Sequence, residues 1–83
     1  MDSETIVKIG SVELTEKEAF SLYEQGKYIV TYSTIYQLHY SAAQKRVYGT
    51  VIYRSPGMAR RGRFYAMDGK SVNRLVGSML VNE

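Results

Sequence analysis

The sequence predicts an α+β fold, an antiparallel meander of about three to four strands packed against two amphipathic helices, and three observations carry that expectation. Two segments repeat their apolar residues at helical spacing behind a capping residue. Two others are dense in β-branched and aromatic residues. The only proline lies with two glycines just before a last short apolar run. A chain of 83 residues has room for one core, so residues 1–83 are expected to form a single compact domain. Without cysteine, that core must hold by packing alone, with neither disulfides nor a thiolate metal site.

Thr5 to Gly10 (TIVKIG) and Ser11 to Leu14 (SVEL) read as a small strand or hairpin at an edge. Thr15-Glu16-Lys17-Glu18 has the form of a capping box, in which the threonine hydroxyl takes a free amide at the helix start and the glutamate reaches back to the threonine amide. Leu14 and Ala19 flank it as a hydrophobic staple. Ala19, Phe20, Leu22 and Tyr23 form an apolar stripe, and Gly26 supplies the left-handed residue that ends many helices. A helix is therefore expected from about Glu16 to Gln25.

From Tyr28 to Tyr40, nine of thirteen residues are β-branched or aromatic, and tyrosines recur at 28, 32, 36 and 40. Extended backbone would place Tyr28, Val30, Tyr32, Thr34, Tyr36, Leu38 and Tyr40 on one face, opposite a more polar face of Ile29, Thr31, Ser33, Ile35, Gln37 and His39. The preferred reading is one long, half-buried strand that bends near Ser33-Thr34. Its rival is a helix over Thr34 to Arg46, because alanine, glutamine and lysine are good helix formers. Ser41 to Lys45 then reverses the chain into a second strand, Arg46 to Arg54, with Gly49 at a bulge or close ring contact. Ser55 to Gly62 is a loop and Arg63 to Met67 a third strand. Asp68 caps a last helix with apolar positions Val72, Leu75, Val76, Met79 and Leu80. Both helices are expected on one sheet face, leaving the other open to water or a partner.

Charge is distributed unevenly. Residues 1–26 carry six acids and two bases, whereas residues 27–83 carry nine bases and two acids. Between Glu24 and Asp68 no acid occurs, yet the window holds Lys27, Lys45, Arg46, Arg54, Arg60, Arg61 and Arg63 together with seven of the eight tyrosines. Cations neutralise phosphates and flat rings accept nucleobases, so the window suits a polyanion with stackable bases. The plainest alternative is that the acidic first part folds back and neutralises the basic part.

The expected interface comprises Lys45, Arg46, Arg54, Arg60, Arg61 and Arg63 as phosphate contacts and Tyr48, Tyr53 and Tyr65 as stacking rings; Tyr23, Tyr28, Tyr32 and Tyr36 are assigned to packing. Alternation puts Arg63 and Tyr65 on one face and Phe64 in the core. Two motif fragments fail: Gly69-Lys70-Ser71 lacks the P-loop glycine, Phe64 standing in its place, and Arg61-Gly62-Arg63-Phe64 departs from the RNA-recognition-motif strand signature at two positions. No nucleophile elbow or paired-carboxylate pattern accompanies the sole histidine, His39.

The composition thus points to a small, non-enzymatic binding protein with no cofactor or metal, whose partner is single-stranded or structured RNA or DNA. The competing reading is a protein-interaction module, such as an inhibitor encoded by a phage or mobile element, acting on a partner protein or as a homodimer. The acidic start without a basic leader, and the lack of a long apolar run, lead to the expectation of a cytoplasmic protein that does not engage a membrane.

Overall fold

A computed structural model describes residues 5–81. Asp2, Glu4 and Glu83, which enter the charge partition above, lie outside the described residues. The architecture is α+β with antiparallel sheets and two helices. A hairpin of β1 (Ile6–Ile9) and β2 (Val12–Thr15) leads into helix α1 (Glu16–Glu24). Then come β3 (Tyr28–Val30), β4 (Thr34–Ser41), β5 (Arg46–Arg54), β6 (Tyr65–Met67) and helix α2 (Gly69–Val81). No helix among the described residues is long and apolar enough to cross a membrane.

Helix α1 begins and ends as its residues dictate. The Thr15 hydroxyl accepts the Glu18 amide at 3.1 Å. The reciprocal half of the expected box is replaced: the hydroxyl donates to the Glu18 carboxylate at 3.0 Å. At the other end Gly26, at φ 72°, lets its own N–H reach the Tyr23 carbonyl while the Lys27 N–H reaches Leu22, which satisfies two carbonyls that the last turn leaves free. Leu14 and Ala19 are buried in the same cluster, as a staple requires.

The expected long strand from Tyr28 to Tyr40 is instead a hairpin. Thr31, Tyr32 and Ser33 reverse the chain, so that β3 pairs with β4 through Tyr28↔Gln37, Ile29↔Tyr36 and Val30↔Ile35. No glycine, proline or asparagine makes this turn. The buried Thr31 hydroxyl accepts the Thr34 amide at 3.1 Å and donates to the Thr34 carbonyl at 3.0 Å, doing what a backbone turn or an Asx side chain does elsewhere. The reversal also divides the tyrosine series: Tyr28 and Val30 face one side of the sheet, and Tyr36 the other, with Ile29. The rival helix over Thr34 to Arg46 is excluded, since β4, a turn and the start of β5 occupy those residues.

Strand order corrects the simple meander. The four-stranded sheet runs β5-β4-β3-β6, so the last strand returns to lie beside β3 instead of β5. Register shifts between Ile35 and Tyr36: Ile35 faces Tyr53 and Tyr36 faces Val51, which leaves Ile52 as an extra, bulged residue. Gly49 lies not at this bulge but under the hairpin, where an added Cβ would stand 2.7 Å from the Ile9 Cγ2 atom.

The helices cover opposite faces, not one. On the first face the β1–β2 hairpin and α1 bury Val7, Ile9, Val12, Leu14, Ala19, Ile29, Leu38 and Val47. On the second, Val72 of α2 joins Val30, Ile35 and Met58, bordered by half-buried Tyr28, Tyr53, Met67, Leu75, Val76 and Met79. Leu80, expected on the buried stripe, is exposed. Phe64, expected in the core, is 37% exposed at its rim. The β4–β5 hairpin extends past the α2 covering, whereas on the first face the covering reaches Val47 and Tyr40 near its turn; the molecule is elongated, 44 × 23 × 17 Å.

Candidate nucleic-acid interface

Loop residues 55–64, between β5 and β6, carry three of the six predicted cations, and three contacts fasten the loop to the scaffold. The Ser55 N–H donates to the Ser33 carbonyl and the Met58 N–H to the Tyr32 carbonyl, each at 3.0 Å. The Met58 side chain is buried in the second core. The loop is thereby pinned against the β3–β4 turn. Beyond it, Gly62 at φ 77° allows a tight turn in which the Arg63 N–H meets the Arg60 carbonyl at 3.0 Å.

This anchoring gathers Arg54, Arg60, Arg61 and Arg63 at one end of the molecule. Arg54 ends β5 opposite Thr34. The Arg61 guanidinium lies over the Tyr32 ring, 4.9 Å from its centroid, a cation–π contact that orients the cation while leaving its N–H donors free in the plane. Arg60, Arg63, Phe64 and Tyr65 line one concavity of about 450 Å³. Arg63 and Phe64 also border a second, of about 310 Å³, with Tyr32, Ser33 and Glu13. The Glu13 carboxylate is 3.8 Å from the Lys8 ammonium. Among the described residues this is the one ion pair, so no loop guanidinium sits within ion-pair distance of a carboxylate there.

Lys45, Arg46 and Tyr48 stand elsewhere. Arg46 pairs with Ser41 at the closed end of the β4–β5 hairpin. Eight residue steps separate it from Arg54, about 27 Å along an antiparallel strand. The predicted set therefore splits into two basic ends. Of the rings, Tyr65 is 45% exposed beside the loop, whereas Tyr53 is half-buried against the second core and committed to packing.

Tyr32, assigned to packing, also seats Arg61, and His39 stacks on Tyr48 across the strands. Neither pairing is readable without the registers that the turns impose. Near β6, the Asp68 carboxylate accepts the Ser71 amide at 2.8 Å; this bond, helped by the charges of Lys27 and Lys70, holds its carboxyl below the ordinary 3.8. That acid is engaged in capping α2.

Comparison with protein-family models, with curated proteins and with solved structures finds no match. The functional reading therefore rests on the geometry of the chain itself.

Proposed function

We propose that this protein is a non-enzymatic binder of single-stranded or structured nucleic acid, RNA or DNA, and that the arginine loop is its principal contact. The observation that carries this reading is the grouping of Arg60, Arg61 and Arg63 on an anchored loop with Arg54 at the adjoining end of β5, beside exposed Tyr65 and Phe64, with no carboxylate partner among the described residues. Guanidiniums held in this way grip phosphates without first breaking an internal ion pair, and the adjacent rings accept bases. A duplex groove suits the molecule less well, because α1 is acidic and α2 contributes only Lys70 and Arg74.

Replacing Arg60, Arg61 and Arg63 together by alanine is expected to abolish most oligonucleotide binding and leave the fold intact, since all three side chains are exposed. Four phosphate contacts at about −0.7 each give a log-affinity slope of about −2.8 against log salt on single strands. A flat salt response, or unchanged retention of the triple variant on a nucleic-acid column, rejects the proposal.

One observation favours the competing protein-partner reading. Strand β6 has a free edge, and beside it Leu14, Leu22, Phe64 and Ala66 line an apolar groove of about 600 Å³. A sizing run of the protein alone, set beside the oligonucleotide titration, separates the two: self-association without salt-dependent oligonucleotide binding supports the groove.

A further inference from the structure

We infer that the far end of the β4–β5 hairpin is a second, separate site, a stacking platform for unpaired nucleobases formed by Tyr48 and His39 and flanked by Lys45 and Arg46. The inference rests on the nucleic-acid reading above, but it concerns different residues, with Tyr48 about 20 Å and Arg46 about 27 Å from Arg54 along β5.

The platform follows from where the covering of the second face stops. Cross-strand partners share a face, so Gln37 with Thr50, His39 with Tyr48, and Ser41 with Arg46 continue the face that α2 covers nearer β3. Helix α2 packs over Val30, Ile35 and their neighbours and leaves these three pairs outside the core. Gln37, Arg46, Tyr48 and Thr50 are exposed, and His39 and Ser41 half-exposed.

The rings on this face are already arranged. His39 and Tyr48 stack with centroids 5.2 Å apart and planes 27° from parallel. The His39 Nε2 atom shares a 2.8 Å hydrogen bond with the Thr50 hydroxyl, which fixes the imidazole plane. Tyr48 remains 44% exposed. A ring whose orientation is fixed beforehand loses little freedom when a base settles on it, so more of the stacking energy appears as affinity.

Cations stand where the flanking phosphates would lie. Arg46 is two residues from Tyr48 on the same face, about 6.8 Å along the strand. Lys45 occupies the left-handed region at φ 53°, a position that glycine fills without strain. The turn is otherwise held by the Gln44 N–H donating to the Ser41 hydroxyl at 3.2 Å. Backbone preference alone would favour glycine there, and the lysine supplies a charge at the tip instead. The patch is polar and cationic and the apolar groove lies elsewhere, so a nucleic acid suits this end better than a protein surface does. A strand that reaches both ends gains from tethering, which makes binding depend on length.

The test is titration of a labelled oligothymidylate longer than the roughly 4 to 16 nucleotides that one small site covers. Tyr48→Ala with His39→Ala is expected to weaken binding about 5- to 150-fold with the fold retained by circular dichroism. The chain has no tryptophan, so the emission of a Tyr48→Trp variant reports this site alone and should be quenched as the oligonucleotide binds. Should the double alanine variant lose its fold, Lys45→Gly decides: it relieves the turn, and its salt slope should flatten by about 0.7. A folded double variant that binds like the unaltered protein, with the Tyr48→Trp emission unquenched, overturns the platform and leaves the loop proposal standing. If the unaltered protein itself fails to bind the oligonucleotide, both fall.

Discussion

The two faces of the sheet are built to different depths. Over the first, the β1–β2 hairpin and α1 close completely, and Ile9, Ala19, Ile29 and Val47 are all but sealed from water. Over the second, Val30 and Ile35 of the sheet are sealed as well, but α2 contributes one buried side chain, Val72, and its other apolar residues, Leu75, Val76 and Met79, are only half-buried. Two layers meeting a sheet do not share the work equally here. Burial stabilises in proportion to the apolar area removed from water, so the α1 side carries the fold and the α2 side is the looser covering.

The sharpest way to break this contrast is to truncate one buried side chain on each face, allowing about 0.8 kcal/mol for the extra carbon that isoleucine loses. Ile29→Ala, which opens a cavity in the sealed layer, should cost about 2 to 5 kcal/mol in urea denaturation. Val72→Ala, on the thinner side, should cost about 2 kcal/mol or less. Equal losses would show that the two coverings matter alike.

A second test probes how closely the hairpin sits on the sheet. Gly10 combines φ 63° with a position against Tyr36, where an added Cβ would overlap the tyrosine ring and hydroxyl. Gly10→Ala is expected to destabilise by about 2 to 4 kcal/mol, from the left-handed strain and the displaced ring together. A loss below about 1 kcal/mol would mean that the hairpin shifts freely on its bed.

The smallest effect concerns the cap of α2 and is read against pH. Folding lowers the Asp68 carboxyl below its ordinary 3.8, chiefly through the Ser71 amide. The stabilisation is therefore fully present above pH 3.8 and is lost as pH falls through the lower folded value. Asp68→Asn keeps a capping oxygen but removes the titration. Stability curves for the two proteins should accordingly converge in acid and separate above it, the aspartate being favoured at neutral pH. Parallel curves throughout would remove the cap from the account.

Local chemistry was legible in the sequence wherever a side chain acts on its own neighbourhood. Thr15, Gly26 and Asp68 mark helix ends, and β5 occupies Arg46 to Arg54 as its β-branched and aromatic residues suggest. The reversal at Thr31–Ser33 was not legible, because a threonine hydroxyl does there what glycine or asparagine usually does. Missing that turn puts Tyr28, Tyr32, Tyr36 and Tyr40 on one face. The same limit applies to the candidate site. Composition shows which residues are cationic and aromatic, but their division into two ends is set by strand register and by the pairing of β6 with β3, neither of which leaves a local mark.

That pairing governs how the chain must assemble. Strands β4 and β5 are joined by four residues and can zip together at once, whereas Tyr28 meets Met67 only after the 38 residues between them have been brought round. Loop-closure entropy places this step late in folding. The arginine-bearing segment is thus also the hinge of the last docking event. A cut there would leave the terminal strand and helix held by noncovalent contacts alone, so a proteolytic nick should loosen them ahead of the β4–β5 ribbon, whereas lengthening the loop should cost only about 0.6 kcal/mol per doubling.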